Sequence, residues 1–118
     1  MPTYIATAPQ ELLAASDNDI AMFCSLAQIF LETAPELWLR MEQAGAAGAP
    51  GAFVAAAHSL RGITVLVGAH ALTALLLVLE RQAASGACAG PAALAPARDL
   101  LAVVCGEVRC SVEACTAR

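Results

Sequence analysis

Ala57-His58-Ser59-Leu60-Arg61-Gly62, continued to Gly68-Ala69, is the stretch on which the fold turns. Residues 62–79 carry no charged side chain, a run just long enough to be a membrane span. Two glycines, Gly62 and Gly68, lie within it, and His70 sits near its middle. Arg61 borders it on one side and Glu80-Arg81 on the other. Those features favour two amphipathic helices that meet at a turn near Gly68. On the first of them His58 has a cation one turn away and small residues beside it.

The spacing predicts that first helix over 51–66. Phe53, Ala56, Leu60, Ile63 and Val67 recur at three- and four-residue steps, the seam of a helix bundle. At about 100° per residue, His58 points away from this seam. It shares the opposite face with Gly51, Val54, Ala55, Arg61, Gly62 and Val65. The second helix is predicted over 69–84, with Leu72, Leu75, Leu76, Leu79 and Ala83 on its core side, closed by Ser85-Gly86.

Upstream, residues 1–15 are weakly patterned and read as a tail or a short first turn. Ser16-Asp17-Asn18-Asp19 suits a helix start, because such side chains accept bonds from free backbone amides. A helix is expected over 17–32, with Ile20, Phe23, Ala27 and Phe30 as its seam. Thr33-Ala34-Pro35-Glu36 has the form of a capping box, which predicts a separate helix over 34–46 bearing Leu37, Trp38, Met41 and Ala44. Downstream, residues 86–95 are expected to form a loop. A last helix then starts near 94–96 and runs to about 115, burying Leu100, Leu101, Val104, Val108 and Val112. Pro91 and Pro96 cannot both lie deep inside it. No stretch alternates with period two. The expected fold is all-α: one domain over residues 1–118, an antiparallel up-and-down four-helix bundle with an additional N-terminal helix.

Composition agrees. The chain has 118 residues, enough for a single core. Apolar residues make up 59% and aromatics only 4%, so alanine and leucine must build that core through close helix contacts. The net charge is -4, and all 6 basic residues are arginine. With no basic patch, nucleic acid is not the expected partner. The 5 cysteines are odd in number and form no CxxC pair. Cys105, Cys110 and Cys115 recur at five-residue steps, which scatter around a helix and make no metal face. With no secretory signal ahead of them, they are expected to be buried or half-buried thiols in a reducing cytoplasm.

No phosphate-cradling glycine loop, nucleophile elbow or HExxH helix is present. His58 and His70 lack acidic partners at ligand spacing, so no metal site is expected. What remains is the face around His58. An imidazole near neutrality offers one ring nitrogen as a nucleophile. Arg61, three residues on, is placed to steady an anionic group on that nitrogen. Gly62 is costly in mid-helix, and its lack of a side chain would let another protein's surface come close. Val54, Ala55, Ser59 and Val65 surround the histidine as a small, largely apolar docking patch. If the two helices form a hairpin about Gly68, residues 77–80 lie level with His58. Glu80 would then be able to hold the second ring nitrogen and set the tautomer.

The motif Ala57-His58-Ser59-Leu60-Arg61-Gly62, then Gly68-Ala69, Leu72 and Leu79-Glu80, resembles the signature of histidine-containing phosphotransfer (HPt) domains: HxLKG, a short variable run, GA, then a leucine-rich helix ending in Leu-Glu. Phe30-Leu31-Glu32 with Pro35-Glu36-Leu37 is similar to the segment leading into their second helix. The motif likeness covers about residues 17–84. Two departures stand out. Arg61 replaces the usual lysine, keeping charge but offering a planar fork. Ile63-Thr64 replaces small residues, with Ile63 on the expected core seam.

The resemblance implies a carrier in a bacterial, cytoplasmic two-component phosphorelay. His58 would accept a phosphoryl group from a receiver-domain aspartate and pass it to another receiver. Arg61 would stabilise the phosphoryl group, and Gly62 would permit close approach. The divalent metal and acidic pocket would come from the receiver, so no cofactor of its own is expected, and no ATP site. Response-regulator receivers and a sensor (hybrid) histidine kinase are the implied partners of a monomer that does not insert into a membrane. The competing reading is an HPt-like module that binds or sequesters a response regulator without transfer.

Overall fold

The computed structural model describes residues 4–116, which form five helices: α1 Pro9–Ala15, α2 Ile20–Ala46, α3 Pro50–Leu66, α4 His70–Ala84 and α5 Pro91–Thr116. Helices α2 to α5 run up and down as a rod 48 Å long. The core is continuous from Phe23 and Phe30 of α2 through Phe53 and Leu60 of α3 to Leu72 and Leu76 of α4, and Val104 of α5. Helix α3 packs on both α2 and α4, which fixes it from two sides and leaves one face to solvent.

Two expected helices are one. Helix α2 passes through Thr33-Ala34-Pro35-Glu36 without a break, with Pro35 inside it. Proline there removes the bond to the Leu31 carbonyl and costs roughly 3 kcal/mol in a helix interior. Phe23, Ala27, Phe30, Ala34, Trp38 and Met41 nevertheless form one unbroken buried seam. Burial of each large side chain contributes about 1.5–3 kcal/mol, so the seam outweighs the proline, whose ring lies on the exposed face. Helix α2 starts at Asp19, whose side chain accepts from the Met22 amide at 3.2 Å. Ile20, expected in the seam, is 43% exposed.

The additional N-terminal helix is therefore α1, within the stretch expected to be a tail or first turn. Leu12 anchors it in the core, and residues 1–3 of that stretch lie outside the described residues. Asp17 and Asn18 turn the chain from α1 into α2 through left-handed backbone, which their short polar side chains tolerate.

Helix α5 begins at Pro91, earlier than expected, and includes Pro96. Pro91 occupies the first turn, where its missing amide has no partner to lose. Pro96 frees only the carbonyl of Ala92, an exposed residue that water can reach.

Residues 62–79 are not a continuous helix: α3 ends at Leu66 and α4 begins at His70. Gly68 makes the turn with φ +70°. A Cβ there would lie 2.6 Å from the Cβ of Ala8, whose amide donates to the Val67 carbonyl at 3.1 Å. The turn and the entry to α1 are thus in direct contact. Among the described residues α2 alone is long and apolar enough to cross a membrane by length and composition, and its seam is buried against the other helices of the bundle.

Candidate functional site

His58 sits in the middle of α3 on the face turned from the core, and its side chain is 70% exposed. Its register follows from its neighbours: Ala57 and Leu60 are fully buried, which rotates residue 58 outward. Toward α4, the Nη2 atom of Arg61 lies 3.0 Å from Nδ1 of His58. The same Nη2 donates to both oxygens of Glu80, at 3.4 and 3.3 Å. Oε1 of Glu80 is itself 3.5 Å from Nδ1. The α3–α4 hairpin does place Glu80 level with His58.

These three groups differ in exposure. The side chains of Arg61 and Glu80 are 27% and 15% exposed, so the charged pair forms a half-buried floor beside the open imidazole. The Nε atom of Arg61 is buried with no hydrogen-bond partner among the described residues. Among the described residues the polar contacts of this guanidinium run through a single nitrogen, and the fork is not engaged as a fork.

Gly62 is exposed, and a Cβ added to it would meet nothing within 4 Å. No contact among the described residues therefore requires glycine there. On the α2 side of His58, Ala55 and Ser59 border a groove of about 540 Å³ whose opposite wall includes Leu37 and Arg40. Val65 is 47% exposed one turn beyond Arg61, and Val54 is half-buried. The expected docking patch is thus split by His58: Ala55 and Ser59 face the groove, and Val65 continues the exposed ridge.

Below the site lies a polar strap that the hydrophobic spacing does not single out. Thr64 is fully buried, and its hydroxyl is 2.8 Å from that of Thr73 on α4. Thr73 donates to the Ala69 carbonyl at 2.8 Å. Thr64 also lies within 3.1 Å of the Arg61 carbonyl. The strap ties α3 to α4 close to Arg61. Ile63, expected on the seam, is only half-buried, and Thr64 takes the inner position. The signal that points to Thr64 is its spacing of four from Leu60 and three from Val67.

His70 stands away from this face. Its Nε2 pairs with Glu11 of α1 at 2.8 Å. No cluster of three or more potential metal-ligating side chains occurs among the described residues. All five cysteines are free thiols; four are buried or half-buried as expected, but Cys110 is exposed, because it lies on the side of α5 turned from the buried Cys105, Val108 and Ser111.

The fold and site define a helical bundle that displays one histidine on an open helix face, backed by an arginine and a carboxylate. The sequence pattern of the Hpt domain family matches residues 25–109, more than half of the chain, and the chain belongs to that family. It is a phosphotransfer module of the two-component kind, a class that works with receiver domains and kinases. No curated protein and no solved structure matches it.

Proposed function

We propose that this protein is a phosphoryl carrier in a bacterial, cytoplasmic phosphorelay, with His58 as the acceptor. The observation that carries the reading is the 70% exposure of His58 beside a half-buried arginine–carboxylate pair. A receiver's aspartyl phosphate meets the imidazole in line. The P–N bond forms as the P–O bond breaks, and the aspartate leaves with the electron pair. Arg61 neutralises charge on the transferring group. Glu80 holds the proton of Nδ1 while Nε2 attacks, so the positive ring of the product faces a carboxylate until that proton passes to solvent. Donation to a second receiver runs the same steps in reverse.

Gly62 lets the receiver's loops reach the imidazole, and Val54, Ala55, Ser59 and Val65 form the surface on which it seats. The receiver supplies the divalent metal and the acidic pocket, and this chain supplies the nucleophile. A sensor or hybrid kinase charges the first receiver, and the carrier acts as a monomer.

Incubation with a phosphorylated receiver tests this. Acid-labile label should appear on the wild type and on His70→Gln, and not on His58→Gln. Label persisting on His58→Gln would overturn the assignment. Binding of the receiver with no transfer would make the protein a sequestering module instead.

A further inference from the structure

The ring nitrogens of His58 are not equivalent. Nδ1 points toward the floor of the site, where Nη2 of Arg61 lies at 3.0 Å and Oε1 of Glu80 at 3.5 Å. A guanidinium can only donate hydrogen bonds. With Arg61 on Nδ1, that nitrogen must present its lone pair, and the proton of the neutral ring sits on Nε2. Nε2 then has no free pair with which to attack phosphorus. Nδ1 has one, but it is capped by Arg61 and turned inward. In this arrangement neither nitrogen is available as a nucleophile.

We infer that Arg61 holds His58 in an unreactive tautomer, and that an anion arriving at the site releases it. The inference rests on the phosphoryl-carrier reading above and adds a resting state to it. The contact is suited to breaking. Arg61 reaches both partners through one nitrogen, and its distances to Glu80, 3.3 and 3.4 Å, exceed those of a well-formed charge-assisted bond. Its Nε makes no competing bond. The phosphoryl oxygens of an incoming acyl phosphate are a stronger acceptor for this guanidinium than a neutral imidazole. Once Arg61 turns to them, Nε2 loses its proton to water and Nδ1 gains one, which Glu80 accepts. The ring now carries a free pair on its outward nitrogen. No proton is gained or lost overall, and the phosphoryl group itself triggers the change.

Arg61 is accordingly a positioning residue as well as a phosphoryl contact, and its removal should have opposite effects on two reactions. Transfer from a phosphorylated receiver should slow in Arg61→Met, because charge neutralisation is lost. Acylation of His58 by diethyl pyrocarbonate, a neutral electrophile that cannot draw Arg61 away, should be several-fold faster in Arg61→Met than in the wild type. His70 in the same molecule serves as the internal reference.

Nitrogen-15 spectra of the histidine rings, recorded on the whole protein well above the imidazole titration, read the tautomer directly. In the wild type, His58 should show a protonated Nε2 and a bare Nδ1. In Arg61→Met the assignment should reverse. A wild-type His58 protonated on Nδ1 overturns the inference without reference to any variant. So does an unchanged tautomer and acylation rate in a folded Arg61→Met. Neither measurement uses a receiver, so a failed relay assay and a failed switch remain distinguishable.

Discussion

Thr7 is bonded twice to one oxygen of Glu107: its backbone amide donates to Oε1 at 3.0 Å, and its hydroxyl donates to the same atom at 2.7 Å. The amides of Ile5 and Ala6 donate to this carboxylate as well. A single side chain of α5 thus collects the free donors of the segment leading into α1. Glu107→Ala should lower stability by about 1–3 kcal/mol, the range for stranding partly buried donors. A shift of the urea midpoint and faster hydrogen exchange at residues 5–7 would register it. Labelling at His58 should be unaffected, because the clamp belongs to the α1 end of the rod. Unchanged exchange at those amides would show that the clamp does not hold the segment.

Gly62 separates stability from function. Its Cβ position is open, so Gly62→Ala should stabilise α3 by about 0.5–1 kcal/mol. The same methyl group projects beside His58 toward an approaching receiver, and transfer should slow. Thermal melting gives the first quantity and receiver-dependent labelling the second. A variant that is both more stable and equally fast would remove the close-approach role.

At Gly68 the requirement is internal. Alanine in left-handed backbone costs about 1–2 kcal/mol, and here the new methyl also meets Ala8. Gly68→Ala should lower the melting temperature and detach α1, seen as loss of protection at the Ala8 amide. Adding Ala8→Gly should recover only the part due to the Ala8 methyl, because the new Cβ would still lie 2.8 Å from the residue 8 amide nitrogen and 3.0 Å from its Cα. Full recovery would mean that neither this main-chain contact nor the left-handed backbone carries a cost.

The thiols should differ in reactivity. Burial pushes the Cys105 thiol above its usual 9.0, partly offset by Arg109, whereas Cys110 is exposed. Alkylation near pH 8 should modify Cys110 first and Cys105 last. The folded state keeps Cys105 protonated where the unfolded chain would ionise it. Its contribution to stability is therefore complete below about pH 9 and declines as pH rises toward the raised folded value. Equal rates at both thiols, or denaturation midpoints in Cys105→Ala that fall with alkaline pH as steeply as in the wild type, would contradict this.

Much of this molecule is legible in its sequence because helix seams are local. The three- and four-residue steps through Phe53 and Leu60 are enough to place His58 outward, and its observed exposure agrees. The hairpin about Gly68 likewise brings Glu80 level with His58. Expectation and fold part where a local signal meets a longer-range one. Thr33-Ala34-Pro35-Glu36 looks like a helix boundary, yet burial of Phe30, Ala34 and Trp38 on one seam carries α2 across it. Pro96 looks like a start signal, yet α5 runs through it because Leu94 and Ala97 on either side are buried. Contacts between distant segments leave no pattern at all. The Glu107 clamp joins positions about a hundred residues apart, and the Thr64–Thr73 strap depends on side-chain hydroxyls that hydrophobic spacing passes over. The grip of Arg61 on Nδ1 is invisible in the sequence for a further reason: spacing brings the two residues together but does not say which nitrogen is covered.

His58, Arg61, Gly62, Thr64, Thr73 and Glu80 all belong to α3 and α4, joined by the turn around Gly68. The reactive geometry is encoded in one uninterrupted piece of chain. Helices α1 and α5 contribute none of these groups. They support the hairpin from outside: Leu12 of α1 and Val104 of α5 lie in the core, and Ala8 abuts the Gly68 turn. The architecture therefore divides labour along the chain: one short hairpin carries every group at the reactive face, and the remaining helices supply the core against which it is seated.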